Sequence, residues 1–259
     1  MTNNPFTPAQ RTALIDLRHA WPERRIVLIG ASALTCQMEM QWRRTNDIDL
    51  TVVAEQGELV ADLNALGWER DKHLEHRWTS PHGVLVDALP ASRADMSAGK
   101  LTFAGSGHVM NLTGFDLAFQ HNAPVPLDID YHLDVATIPV VVVLKMAAWL
   151  DRPSERDRDL QDLAHIFKEY LRADDLRRWE DELIETELAY DDQSAFALGR
   201  DVGVIVAEVH RRLIDRFLAA VSDESSAAHA HFARYFAHEA SSTKLSPQLR
   251  AFRQGLARK

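Results

Sequence analysis

Residues 26–32, with the sequence IVLIGAS, decide the first half of the fold. Four consecutive apolar residues, three of them β-branched, are typical of a buried strand. Gly30 then predicts a tight strand-to-helix turn, where a ligand can approach the backbone and the following helix N-terminus offers amide groups to a phosphate. Taken alone, the segment is explained more simply as an ordinary tight turn.

A pair of aspartates opens the next predicted strand, at residues 47–50 with the sequence DIDL. Side chains alternate along a strand, so Asp47 and Asp49 lie on one face while Ile48 and Leu50 face the core. Two carboxylates on one face repel each other unless a cation lies between them, and Mg²⁺ accepts oxygen ligands while keeping positions for substrate phosphates. The alternative is a strand edge with two solvated aspartates.

A third carboxylate, Asp87, lies in the apolar run at residues 84–89, VLVDAL. In isolation it is explained more simply as a residue that ends a strand at a turn. The order of the three segments is more informative, because Asp47 follows Gly30 by 17 residues and Asp87 lies on a further apolar strand. A metal-dependent phosphoryl or nucleotidyl transfer site needs such a turn to hold phosphates and such carboxylates to hold metal.

Two segments, GASAL at residues 30–34 and RRTNDIDL at residues 43–50, resemble the signature of the DNA polymerase β-like nucleotidyltransferase superfamily. Within it, the chain most resembles the AbiEii/AbiGii toxin family, which includes the MenT-type toxins. Lys145, Arg152 and the sequence RDLQDL at residues 158–163 resemble the later motifs of that family, so the resemblance spans about residues 26–166. Ala31 stands where the superfamily usually has Gly or Ser, and Ser32 or the backbone amides are expected to replace the lost hydroxyl.

The resemblance implies roles for the individual residues. It implies that Asp47 and Asp49 hold Mg²⁺ (or Mn²⁺) together with the triphosphate, and that Asp87 binds a second metal and helps to deprotonate the attacking hydroxyl. The nucleotide-binding residues that it implies are Gly30, Ala31, Ser32, Lys145, Asp159 and Asp162.

Lys145 is expected to act as a point charge on the triphosphate. Its stem would be buried and its ammonium would face Asp47 and Asp49, so Lys145→Met is expected to fold normally; a surface lysine is the alternative. Either Asp159 or Asp162, three residues apart on one helix face, is the expected acid of the fourth motif. For Asp162 alone, a surface charge in the first helical turn is the simpler interpretation.

The fold class that follows is an α/β (α+β) nucleotidyltransferase fold with a small mixed sheet, followed by an all-helical C-terminal bundle. The expected domains are a nucleotidyltransferase domain at residues 1–137 and a helical domain at residues 138–259. Residues 115–119 are predicted as a strand, residues 174–188 and 193–221 as helices. The acidic stretch 174–192 is predicted as a solvated helix face, and the basic stretch 244–259 as a solvated C-terminal helix or an aid in holding RNA phosphates.

Composition limits the classes of protein. The net charge of −9 argues against a protein that coats nucleic acid along its whole surface. Cys36 is the single cysteine, which excludes an intramolecular disulfide and fits a reducing compartment. The longest apolar run, residues 138–144, is far shorter than the roughly 20 residues of a membrane span. A cytoplasmic protein with no membrane partner is therefore expected.

The expected function is metal-dependent transfer of a nucleoside monophosphate from an NTP to an acceptor. The resemblance implies a tRNA 3′ end or a protein as acceptor, and a cognate antitoxin as a partner. One alternative is nucleotidylation of a small molecule such as an antibiotic, since an acidic protein suits a cationic substrate. Another is a non-catalytic nucleotide-binding module, because Ala31 departs from the Gly or Ser that the superfamily usually has at this position.

Overall fold

A computed structural model describes residues 5–40, 47–236 and 244–258 of the chain. The chain divides into two compact units, residues 1–141 and 142–259. The predicted boundary after residue 137 falls at the start of the helix Ile138–Asp151, and the two units divide within that helix.

The first unit mixes short strands with short helices. Its strands are β1 (Ile26–Leu28), β2 (Asp47–Val52), β3 (Glu69–Arg70), β4 (Arg77–Thr79), β5 (Leu85–Pro90), β6 (Lys100–Thr102), β7 (Val109–Asn111), β8 (Asn122–Pro126) and β9 (His132–Ala136). Its helices are α1 (Pro8–Ala20), α2 (Gly30–Thr35), α3 (Gln56–Ala65), α4 (Arg93–Ala98) and α5 (Phe115–Gln120).

A mixed sheet forms the centre of this unit and confirms the predicted fold class. Among the described residues its seven strands follow the order β3-β4-β5-β2-β1-β9-β8, and β6 pairs with β7 in a separate hairpin. Strand β2 lies parallel to β5 and antiparallel to β1. Strands β1 and β5 therefore pair with the two edges of β2. Its residues Ile48, Leu50 and Val52 are fully buried.

The prediction of a strand at residues 115–119 is wrong, because these residues form helix α5. Gly114 adopts φ of 95° immediately before it, a conformation that favours glycine and redirects the chain. Phe115, Leu117 and Phe119 are buried. The short, mainly apolar run that suggested a strand therefore belongs to a short buried helix, since periodicity does not separate the two structures over so few residues.

The second unit is helical throughout its described residues, as predicted. Its elements are α6 (Ile138–Asp151), whose first residues belong to the first unit, α7 (Asp157–Glu169), α8 (Asp181–Ile184), α9 (Gln193–Ile205), α10 (Glu208–Ser222), α11 (Ala227–Ala233) and α12 (Leu245–Leu256), with two 3-10 helices at Leu176–Trp179 and Tyr190–Asp192. The predicted helix over 193–221 is two helices, because Val206 is extended with φ of −92° and ψ of 133°.

The acidic stretch 174–192 is not the single solvated helix face that was predicted. Glu180 is extended and separates a 3-10 helix from α8. Arg178 is buried, and its guanidinium donates to the carbonyls of Arg172 and Tyr190 at 2.9 and 3.1 Å. These backbone acceptors lie on both sides of Arg178 in the sequence, so they hold the segment as a folded loop rather than as one helix.

Helix α12 packs against α9 at very short range, so it is not a fully solvated helix. A Cβ atom placed on Gly199 would lie 2.1 Å from the carbonyl oxygen of Phe252, and one on Gly255 would lie 2.0 Å from that of Phe196. Phe252 also stacks on Phe167 of α7 with ring centroids 4.9 Å apart. Glycine is therefore required at both crossing points for the helices to approach this closely.

Among the helices of residues 5–40, 47–236 and 244–258, none has the length and apolar character that crossing a membrane requires.

Candidate active site

Hydrogen bonds fix the backbone of Asp49 against the turn between β1 and α2. The Asp49 amide donates to Ser32 Oγ at 2.9 Å, and the Ile29 amide donates to the Asp49 carbonyl at 2.9 Å. Ser32 is buried, and its hydroxyl donates to the Ile29 carbonyl at 3.2 Å. In this arrangement the Ser32 hydroxyl joins the turn to β2.

Gly30 brings the turn into direct contact with the Asp49 carboxylate. Its φ of +62° lies in the left-handed region, and a Cβ atom added there would be 2.5 Å from Asp49 Oδ2. Glycine therefore meets two requirements, a backbone conformation that other residues rarely adopt and the close approach of a carboxylate. The predicted juxtaposition of the glycine turn and the D-x-D strand is present.

We expect Gly30→Ala to destabilise the protein and to displace the Asp49 carboxylate. The left-handed backbone alone costs a non-glycine residue about 1–2 kcal/mol, and the contact with Asp49 adds to that cost. Chemical denaturation measures the loss. Gly83→Ala is a matched control, since Gly83 has φ of +73° but would place its Cβ in open space. Equal losses in the two variants would contradict the proposed contact.

Three side chains form one row across β4, β5 and β2. The register pairs Arg77 with Asp87 and Asp87 with Asp49, so all three project from the same face of the sheet. Asp47 lies two residues before Asp49 and shares that face. The sheet therefore brings the three predicted carboxylates together and adds an arginine to them.

Arg77 binds two of these carboxylates. Its Nε and Nη2 atoms donate to Asp87 Oδ1 and Oδ2 at 2.7 and 2.8 Å, a bidentate pair, and Nη2 also donates to Asp47 Oδ2 at 3.3 Å. The hydrogen bond to Asp87 raises the pKa of Arg77 above its usual range, so the guanidinium stays charged. The expected repulsion among unpaired carboxylates is therefore partly relieved by a cation of the chain itself.

Sequence reasoning missed Arg77, although a signal was present. Thr79 pairs with Leu85 across the turn that Ser80–Gly83 form, where the Gly83 amide donates to the Ser80 carbonyl. Counting back two residues on one strand and forward two on the other places Arg77 opposite Asp87. A hairpin assigned at this turn would have identified the pair.

The donor chemistry fits one divalent ion better than two. Asp47 and Asp49 are oxygen donors on one face, and Mg²⁺ bound with a substrate triphosphate uses only one or two carboxylates. Asp87, by contrast, has both oxygens bound by Arg77 and is 8% exposed. Within the described ranges, no group of three or more His, Cys, Asp and Glu side chains is arranged to hold a metal ion.

The second unit contains a buried ionic triad. Lys145 Nζ lies 2.8 Å from Asp159 Oδ1 and 2.7 Å from Asp162 Oδ2. Lys145 is 5% exposed and Asp162 is fully buried. The interpretation of Asp162 as a surface charge is therefore wrong, and so is that of Lys145 as a surface lysine. Both candidate acids of the fourth motif, Asp159 and Asp162, contact the same ammonium.

Electrostatics in the triad favour a charged lysine. Burial lowers the pKa of Lys145, but the two adjacent carboxylates outweigh it and the net shift is upward. The ammonium therefore remains protonated inside the unit. The ammonium lies between two carboxylates of α7, which link α6 to α7.

Residues 43–46, which carry part of the family resemblance, lie outside the described residues.

Comparisons with known proteins agree with the resemblance and extend it. The family model described as nucleotidyl transferase AbiEii toxin, type IV toxin–antitoxin system, matches residues 13–258, which includes the helical region beyond residue 166. No curated protein matches the sequence at a significant level.

Two of the solved structures that are similar to this chain are an antibiotic-resistance factor and a nucleotidyltransferase-like protein. One is the antibiotic-resistance factor ANT(2″)-Ia in solution, with 16% identity and a TM-score of 0.42 over 87% of this chain and 100% of that one. The other is an antigenic nucleotidyltransferase-like protein from Paracoccidioides brasiliensis, with 11% identity and a TM-score of 0.43 over 85% of this chain and 92% of that one.

Proposed function

Since the chain belongs to the nucleotidyl transferase AbiEii toxin family, we propose that this NTP-dependent nucleotidyltransferase is the toxin of a toxin–antitoxin pair and modifies the 3′ end of tRNA. Nucleotidyl transfer, predicted from the sequence, is confirmed by the family match over residues 13–258. The observation that carries the proposed site is the contact between Gly30 and the Asp49 carboxylate, which joins the phosphate-binding turn to the D-x-D strand.

Asp47 and Asp49 are the proposed holders of Mg²⁺ (or Mn²⁺), shared with the triphosphate of the bound NTP. When bound there, the ion would neutralise charge on the phosphates and make the α-phosphorus more electrophilic. The chain's own part is to fix the two carboxylates. The hydrogen bonds from the Asp49 amide to Ser32 and from the Ile29 amide to the Asp49 carbonyl supply that rigidity.

The turn residues Gly30, Ala31 and Ser32 are proposed to bind phosphate oxygens through their backbone amides. These are the first three residues of α2, and the first amides of a helix have no acceptor within it. The absence of a hydroxyl on Ala31 is compatible with this role, because a backbone amide does not depend on the side chain.

The proposed reaction forms one bond and breaks one. The acceptor hydroxyl oxygen bonds to the α-phosphorus of the NTP, the bond from the α-phosphorus to the β-phosphate oxygen breaks, and pyrophosphate leaves. The hydroxyl proton passes to solvent. Asp87 is bound by Arg77 in the bidentate pair, so we assign it to holding that guanidinium rather than to a second metal or to proton abstraction.

For Lys145, Asp159 and Asp162, we propose that the buried triad holds α6 against α7. The family resemblance implies a direct contact between Lys145 and the triphosphate. For such a contact, the Lys145 ammonium would have to bind the triphosphate while it also binds the carboxylates of Asp159 and Asp162. Nucleotide affinity of a Lys145 variant that still folds would distinguish the two roles.

A second candidate acceptor is a cationic small molecule. The net charge of −9 favours a positively charged substrate over a polyanion at long range. This candidate shares the metal and nucleotide residues proposed above and differs only in the acceptor.

Labelling with each of four α-³²P NTPs, in the presence of total tRNA, a cell protein extract or a cationic antibiotic, tests the acceptor. We expect label on tRNA, loss of label with EDTA because the triphosphate needs its metal, and loss after periodate oxidation of the tRNA 3′ hydroxyls. Label on tRNA that survives periodate would contradict 3′-end transfer. Label only on protein or on the antibiotic would overturn tRNA as the acceptor.

The antitoxin partner is tested in cells. Expression of the chain is expected to arrest growth, and co-expression of a cognate antitoxin is expected to restore it. Undisturbed growth at a high level of folded, active protein would contradict the toxin role.

A further inference from the structure

We propose that Arg77 takes the place of a second metal ion in this site, so that the enzyme works with a single divalent cation between Asp47 and Asp49. The inference rests on the proposed nucleotidyl transfer and adds a positioning residue to it. Three observations support it: Arg77 binds both carboxylate oxygens of Asp87, it balances charge in the site, and its position on the strand is fixed.

The first observation is the occupancy of Asp87. Nε and Nη2 of Arg77 hold its two oxygens at 2.7 and 2.8 Å, and His76 Nε2 lies 4.0 Å from Asp87 Oδ2. The Asp87 side chain is 12% exposed, so solvent has little access to its remaining lone pairs. A metal ion bound to Asp87 would have to displace the guanidinium or lie beside a second positive charge.

The second observation is the charge of the cluster. Asp47, Asp49 and Asp87 carry three negative charges, and Arg77 contributes one positive charge within 3.3 Å of Asp47 and 2.7 Å of Asp87. Arg77 therefore already balances the charge of Asp87, and that carboxylate does not require a metal ion.

The third observation is that Arg77 is firmly placed. It is paired with Asp87 on β5, its amide donates to the Leu74 carbonyl at 2.9 Å, and the next residue, Trp78, is buried. The Arg77 side chain is 27% exposed, which leaves part of the guanidinium available to a substrate phosphate. A guanidinium is always charged and has five N–H donors, so it can bind a carboxylate and a phosphate together.

Electron paramagnetic resonance of bound Mn²⁺ tests the inference. The protein is titrated with Mn²⁺ in the presence of each of the four α,β-methylene NTP analogues, which bind without transfer. Two Mn²⁺ ions about 3.5–4 Å apart would show spin–spin coupling, whereas one ion gives an uncoupled spectrum. We expect uncoupled Mn²⁺ in the wild type and a coupled pair in Arg77→Gln, where Asp87 becomes available.

The matched control is Arg70→Gln. Arg70 lies on the neighbouring strand β3, and its carboxylate partner is Glu75, 3.3 Å away, rather than Asp87. We expect Arg70→Gln to keep the uncoupled wild-type spectrum. A coupled pair in this variant would show that coupling does not report the loss of Arg77 and would overturn the inference.

The outcomes separate this inference from the proposed function. A coupled pair in the wild type overturns the role of Arg77 and leaves nucleotidyl transfer standing, whether or not Arg77→Gln folds. A folded Arg77→Gln protein that shows only uncoupled Mn²⁺ also overturns it. A wild type that binds neither Mn²⁺ nor any of the analogues overturns the proposed site and this inference together.

Discussion

Replacing Lys145 by methionine is expected to lower the free energy of unfolding by about 3–5 kcal/mol. The substitution removes the ammonium that lies 2.8 Å from Asp159 and 2.7 Å from Asp162, and it leaves two carboxylates inside the second unit. Methionine fills most of the volume of the lysine stem, so the loss of stability comes from the missing charge rather than from a change in packing. This reverses the sequence-based expectation that Lys145→Met folds normally.

Urea denaturation of the variant measures this effect, with Lys168→Met as the matched control. Lys168 also lies on a helix of the second unit, but its ammonium donates to the carbonyl of Tyr235 at 3.1 Å rather than to carboxylates. We expect the control to lose about 1 kcal/mol. Adding Asp159→Asn and Asp162→Asn to Lys145→Met should recover part of the stability, and a single variant as stable as the wild type would contradict the buried triad.

The second large effect is expected for activity. Asp49→Asn should lower the rate of nucleotidyl transfer by about 10²-fold or more, since it removes one of two charged metal ligands from the D-x-D strand. Stability should change little, because asparagine has nearly the same shape and relieves part of the repulsion with Asp47 and Asp87. The measurement is the rate of NTP-dependent labelling of the acceptor, made beside thermal unfolding of the same protein.

Asp62→Asn is the matched control for Asp49→Asn. Asp62 is an aspartate of the same unit, but it lies on α3 and outside the row of site residues, where it pairs with Arg24 at 2.7 Å. We expect wild-type labelling from this variant. Wild-type labelling from Asp49→Asn as well would show that the D-x-D strand does not hold the reacting nucleotide.

The strands that carry the candidate site were predictable because each is a local pattern. Residues 26–29 and 84–86 are apolar runs, and the alternation in residues 47–50 places both aspartates on one face. The pairing of Asp49 with Asp87 could not be predicted in this way. It depends on the parallel register of two strands far apart in the sequence, which no local pattern determines.

Arg77 was missed because the hairpin between β4 and β5 was not assigned, whereas the partners of Lys145 could not be predicted from the sequence. An arginine on a short strand is usually a solvated charge, and only the hairpin register brings Arg77 opposite Asp87. The lysine of an apolar helix was expected to reach out of the core. Its actual partners, Asp159 and Asp162, are supplied by the packing of a different helix, and helical periodicity gives the face of a residue but not the neighbour that covers it.

We propose that the residues of the Asp47–Asp49 strand support nucleotidyl rather than phosphoryl transfer. Parallel reactions with the same NTP labelled at the α- or at the γ-phosphorus test it most directly, for wild type and Asp49→Asn. We expect the wild type to place α-label on the acceptor and to release γ-label as pyrophosphate, and we expect Asp49→Asn to do neither at a comparable rate. Transfer of γ-label to the acceptor, or equal α-labelling by the two proteins, would contradict it.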